Sequence, residues 1–151
     1  MSATCPTLAE IQAAFSTELQ AALAPLAATG IVTVVPPMQD FAADAKKIMV
    51  MSVLKPDRKT GAELGGPGAL AVRNGLFLVT LSALKGTSQK EHWDAAQAVE
   101  DHFSRYSADT LELPAGGVVY CDHPYIMNAG ETPDKRIALL VTLPWRTWAS
   151  N

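Results

Sequence analysis

Three places in the chain hold residue types that could do chemistry. Gly65-Gly66-Pro67-Gly68 resembles a glycine loop that cradles a phosphate. A Walker loop, however, needs GxxxxGK and then Ser or Thr between a strand and a helix. A dinucleotide fingerprint needs a helix N-terminus behind its glycines to hold the pyrophosphate. Here the glycines lead into an apolar alternating run, Ala69 to Leu84, so the segment reads as a connector. Cys121-Asp122-His123 puts three metal-ligand types in a row. Neighbours on a strand alternate sides, and a zinc site draws its ligands from separated segments, so this run is not a metal motif. His92 and His102 share one helical segment. Their ten-residue spacing turns them about 280° apart at roughly 100° per residue, so they cannot jointly hold one ion.

A nucleophilic pair of Cys121 with a histidine is a spatial matter that local sequence does not decide. No GxSxG, HExxH or paired-carboxylate pattern is present. The carboxylates fall mainly on outer helix faces, where solvated charge is the default. The residues therefore favour a protein without an enzymatic centre, a cofactor or a metal.

Composition narrows the class further. The chain has 151 residues, enough for one domain over 1–151, with residues 1–6 expected to be mobile. Apolar residues make up 48% and charged residues 18%, so a core can form and disorder is excluded. The net charge of −3 argues against a dominant electrostatic grip on nucleic acid. Two cysteines without a CxxC fit reduced thiols in a cytosolic setting. The sequence has no signal-peptide pattern and no run of about 18 apolar residues that could span a membrane.

These residues need elements to position them. Thr7-Leu8-Ala9-Glu10 is a capping box, followed by Leu8, Ile11, Phe15, Leu19, Leu23 and Leu26 on one helical face. Pro25 predicts an end or kink near Ala24. Ile31 to Val35 reads as a short strand closed by Pro36-Pro37, Met38 to Ala45 as ambiguous, and Lys47 to Leu54 as a strand ending at Pro56-Asp57. Asp57 to Gly68 reads as a long polar loop. Ala69 to Leu84 reads as a long central strand, with a bulge expected at Gly75. Ser88-Gln89-Lys90-Glu91 caps a second helix whose buried stripe is Trp93, Ala96, Val99, Phe103 and Tyr106. Leu111–Leu113 and Gly117–Cys121 read as short strands, Asp122 to Asp134 as irregular, and Lys135 to Trp148 as the last strand. Strands in runs, without βαβ alternation, predict an α+β domain. Its sheet is mostly antiparallel or mixed, with two main helices packed on one face.

What remains is surface suited to other proteins. The expected loop carries Arg58, Lys59 and Glu63 and delivers Arg73 at the head of the central strand. The irregular segment offers Tyr125 and Met127, and the C-terminal end offers Trp145, Arg146 and Trp148. Tryptophan and arginine are enriched at interface hot spots.

The order of features resembles the tail terminator, or tail completion, proteins of long-tailed bacteriophages. The features are an N-terminal helix, a short strand ending in prolines, a variable loop, and the stretch Gly68-Ala69-Leu70-Ala71-Val72-Arg73-Asn74-Gly75-Leu76-Phe77-Leu78-Val79. A helix led by Gly86-Thr87 follows, running through Ala95 to Phe103, and an alternating strand finishes near Pro144-Trp145-Arg146. The resemblance covers nearly the whole chain through degenerate motifs. It implies a homo-oligomeric ring, hexameric in such proteins, that caps the tail tube protein, stops its polymerisation and presents a surface to the head–tail connector protein. It also implies no cofactor, DNA passing through the lumen without sequence reading, no membrane, and a place in the virion tail or neck after assembly in the bacterial host cytoplasm. The alternatives are another neck or tail ring component, such as a connector or tube subunit, and a small cytosolic enzyme or ligand-binding domain with a pocket near Cys121 and His123.

Overall fold

The structure, a computed structural model, describes residues 5–35, 48–60, 70–84, 89–107, 109–114, 116–131 and 135–150. Helix α1 spans Leu8–Ala28. Its capping box forms as read: the Glu10 N–H donates to Thr7 Oγ1 at 3.2 Å. Ile11, Phe15, Leu19 and Leu23 are all buried. Of the end or kink expected near Ala24, the end does not occur. Pro25 removes one N–H, but the helix runs another turn to Thr29, whose N–H and hydroxyl both donate to the Leu26 carbonyl. That turn carries Leu26 against the core, and its burial offsets the lost bond.

Strand β1 (Val32–Val34) lies parallel to β2 (Ile48–Thr60). The ambiguous stretch Met38 to Ala45 lies outside the described residues. β2 continues past Pro56, where the sequence reading ended it, so Asp57 to Thr60 is strand and not loop. β1 pairs only as far as Val50, and beyond it β2 has no second neighbour among the described residues, the kind of edge where a sheet tolerates proline. Strand β3 (Leu70–Leu84) pairs antiparallel with β2 on one side and with β7 (Arg136–Ser150) on the other. The irregularity expected at Gly75 lies on the partner: the register shifts between Pro56 and Lys59 while β3 and β7 stay in step.

Helix α2 spans Gln89–Ser104 and runs into a 3₁₀ turn, Arg105–Ser107. Ser88, the N-cap expected from sequence, is outside the described residues. The buried stripe is His92, Ala95, Ala96, Val99 and Phe103, so Trp93 is not part of it and stays 45% exposed. His92 takes that place because its Nε2 donates to the Leu81 carbonyl at 2.8 Å, satisfying the ring's polar edge inside the core.

Strands β4 (Thr110–Glu112) and β5 (Val118–Cys121) form a hairpin. The segment after Cys121, expected to be irregular, contains strand β6 (Tyr125–Glu131). β5 and β6 follow one another along the same edge of β7. Pro144 sits at their junction. Its carbonyl accepts from the Asp122 N–H at 2.9 Å, and the return bond is missing because proline has no N–H. A second irregularity follows between Asn128 and Gly130, where Asn128 Oδ1 accepts from the Gly130 N–H and Gly130 takes φ 87°. A glycine suits that left-handed backbone.

The sheet order is β1-β2-β3-β7-β5-β4, with β6 also on β7, and only β1–β2 is parallel. Both helices cover one face. Phe15 of α1 stacks on Phe77 of β3 with centroids 4.8 Å apart, and Phe103 of α2 meets both rings at 6.1 Å. The fold is α+β, with a mixed, mostly antiparallel sheet.

Candidate functional site

Residues 77, 79, 81 and 83 of β3 face the helices, as do 139, 141, 143 and 145 of β7, and all eight are buried. The register then assigns the opposite face. Val53, Leu78, Thr142 and Tyr125 form one row across β2, β3, β7 and β6. Met51, Thr80, Leu140 and Met127 form the next. Further along the same face, Arg146 lies opposite Tyr120, and Trp148 opposite Val72. The Arg146 guanidinium stands 5.5 Å from the Tyr120 ring centre.

An antiparallel sheet with one solvated face normally turns polar residues outward. This one mixes the two: Lys55, Asn74 and Arg146 are exposed on it, Met49, Ser82, Arg136, Ala138 and Thr142 of the same face are buried, and large apolar side chains are exposed beside them. Val53, Leu76, Tyr120, Tyr125, Met127 and Trp148 are exposed there, and among the described residues only Leu8 and Trp93 are large exposed apolar side chains elsewhere. The Tyr125 and Met127 end of this face lies on β6, whose outer edge carries no neighbour among the described residues. Several large apolar side chains exposed on one face mark a candidate place for another protein.

The residues singled out by sequence divide as follows. Tyr125, Met127, Arg146 and Trp148 come together on this face. Trp145 does not: it is 3% exposed, on the helix side, with its ring 6.3 Å from that of Phe15. Strand alternation places it inside because its neighbours Pro144 and Arg146 point out. Arg58 is exposed on β2, its N–H bonded to Asp57 Oδ1 at 2.8 Å. Lys59 pairs with Arg73 across β2 and β3; its side chain, and all of Glu63 and the Gly65–Gly68 run, lie outside the described residues. Arg73 is half-buried on the helix side, with a buried Nε that has no hydrogen-bond partner among the described residues. Val53, Leu76 and Tyr120 were missed. The signal for Leu76 was present in β3, whose two faces are both apolar near its middle.

The chemistry of the remaining groups is limited. Burial pushes the Cys121 thiol up to about 12, so it stays protonated and un-nucleophilic at neutral pH. A cleft of about 690 Å³ opens beside it, lined also by Asp122, Tyr106 and Trp145. His123 is exposed. His102 is bound to Glu18 at 2.6 Å, bridging α2 to α1, with Arg105 on the same carboxylate oxygen at 3.1 Å. Among the described residues no three His, Cys, Asp or Glu side chains gather as a metal site, and no helix is long and apolar enough to cross a membrane.

No family model matches the chain, and no curated protein matches it at a significant level. Solved structures do match. One, identified only by a sequence label, superposes with a TM-score of 0.67 at 17% identity, covering 96% of this chain and 98% of its own. At that identity the likeness is one of fold, and it extends over the whole domain.

Proposed function

We propose that the chain is a structural subunit of a phage tail, a terminator whose copies close into a ring on the end of the tail tube. In this role it stops tube polymerisation and offers the opposite surface to the head connector. The observation that carries the reading is the set of large apolar side chains exposed on the sheet face left uncovered by the helices. A subunit that functions alone gains nothing from six large exposed apolar side chains on one face, whereas a ring subunit buries them against its neighbours. The order of sequence features described above supports the same reading. The hexameric number, the virion location and the passage of DNA through the lumen belong to the proposal. A connector or tube subunit would use the same face. The burial of Cys121, which holds its thiol protonated, weighs for this reading over the enzyme alternative.

Light scattering after size exclusion, over a range of concentration and salt and with the cognate tube protein added, tests the proposal. The expected result is a discrete species several times the 16.0 kDa chain mass, and tubes that stop growing when it is added. A monomer under all conditions, with tube growth unaffected, would overturn it.

A further inference from the structure

A head-to-tail ring needs two different complementary patches on each chain. The structure carries a second apolar groove, on the helix side and far along the strand order from β2. It lies between α1 and the β4 hairpin, encloses about 300 Å³, and has Ala13, Ala14, Leu111 and Leu113 among its lining residues. The groove exists because α1 presents alanines where a larger residue would fill the space. Among the described residues, the charged groups lining it are all carboxylates: Glu10, Glu18 and Glu112. Glu18 is already held by His102 and Arg105, which leaves Glu10 and Glu112 without an ion pair among the described residues.

The complementary surface lies near the other end of the sheet. Among the described residues β2 beyond Val50 is an edge strand, and it carries Val53, Lys55 and Arg58, all exposed. Among the described residues, neither Lys55 nor Arg58 makes an ion pair. The strand therefore offers an apolar side chain with two unpaired cations, and the groove offers an apolar floor with two unpaired carboxylates.

We infer that the α1–β4 groove of one copy receives the Val53–Arg58 edge of the next. The occupant is a second copy of this chain, and the contact is heterologous, so it propagates around a ring without a two-fold axis. The inference rests on the ring reading and specifies which surfaces close it. Opposed charges at the rim set the register and speed the encounter, while the apolar floor supplies the burial.

Charge reversal tests it. One variant carries Glu10→Lys with Glu112→Lys, and another carries Lys55→Glu with Arg58→Glu. Each alone assembles about tenfold or more weakly than the native chain, because two rim pairs become repulsive. Equimolar mixing of the two restores assembly, since each groove again meets an edge of opposite charge. The four-fold variant assembles alone for the same reason. Circular dichroism and thermal unfolding confirm that each variant is folded. Native assembly that neither reversal weakens, or a weakening that mixing does not relieve, overturns the groove contact and leaves the ring standing. A native chain that stays monomeric overturns the ring, and the groove contact with it.

Discussion

The indole of Trp145 lies across Gly75 on the neighbouring strand, so closely that no side chain fits there. A Cβ on Gly75 would fall 2.6 Å from Trp145 Cε2 and 2.8 Å from the Lys55 carbonyl oxygen. One of those obstacles is main chain and cannot rotate away. Gly75→Ala is therefore expected to cost about 1–3 kcal/mol, the range for overpacked interiors. At about 2–4 °C per kcal/mol for a chain of this size, the melting temperature drops measurably. An unchanged midpoint in urea would show that the indole has room to shift.

Phe15 joins α1 to the sheet. It stacks on Phe77 with ring planes 13° apart and also meets Phe103 and Trp145. Phe15→Ala removes the centre of this aromatic cluster and is expected to cost about 3–5 kcal/mol. Chemical denaturation measures it. A loss below about 1 kcal/mol would mean that the neighbouring rings collapse into the space.

The Glu18 contacts make the α1–α2 junction sensitive to acid. Burial pushes the Glu18 pKa up, but hydrogen bonds with His102 and Tyr106 and the charges of His102 and Arg105 reverse this and leave it below the ordinary 4.5. A carboxylate whose pKa is lowered by folding stabilises the fold above its unfolded value, and that stability is lost as pH falls through the folded value. The melting temperature should thus fall more steeply below pH 4.5 in the native chain than in Glu18→Gln. Parallel acid limbs in the two proteins would remove Glu18 as the cause.

Cys121 should resist alkylation. Its thiol is buried and protonated at neutral pH, so iodoacetamide labels it slowly in the folded state and readily in urea. Mass spectrometry of the labelled peptide distinguishes the two. Rapid labelling of the folded chain would reopen the case for a nucleophile in the adjoining cleft.

On the sheet face away from the helices, Val53→Lys and Met127→Lys separate folding from association. Both side chains are at least half exposed, so each change should move stability by no more than about 0.5 kcal/mol. Self-association, followed by sedimentation velocity, should weaken about tenfold or more if copies meet through this face. Association equal to that of the native chain would place the contact elsewhere.

What the sequence determined by itself is the local grammar. The Thr7–Glu10 capping box and the Ile11, Phe15, Leu19 and Leu23 stripe are legible because a helix repeats every 3.6 residues within a single segment. The central strand and the last strand are legible for the same reason, through their two-residue alternation, and together with the helices they give the fold class. Only the tertiary structure decided the rest. β6 is held by main-chain bonds to β7 and broken by a register shift between Asn128 and Gly130, so its side chains show no clean period. Pro56 is accommodated because β1 stops short, and Pro25 because Leu26 has a core to meet. The placement of His92 inside and Trp93 outside turned on one carbonyl of another strand. The sheet face away from the helices, too, is a product of register: it joins residues from positions 51 to 148 into rows, and no segment of the chain contains that pairing on its own.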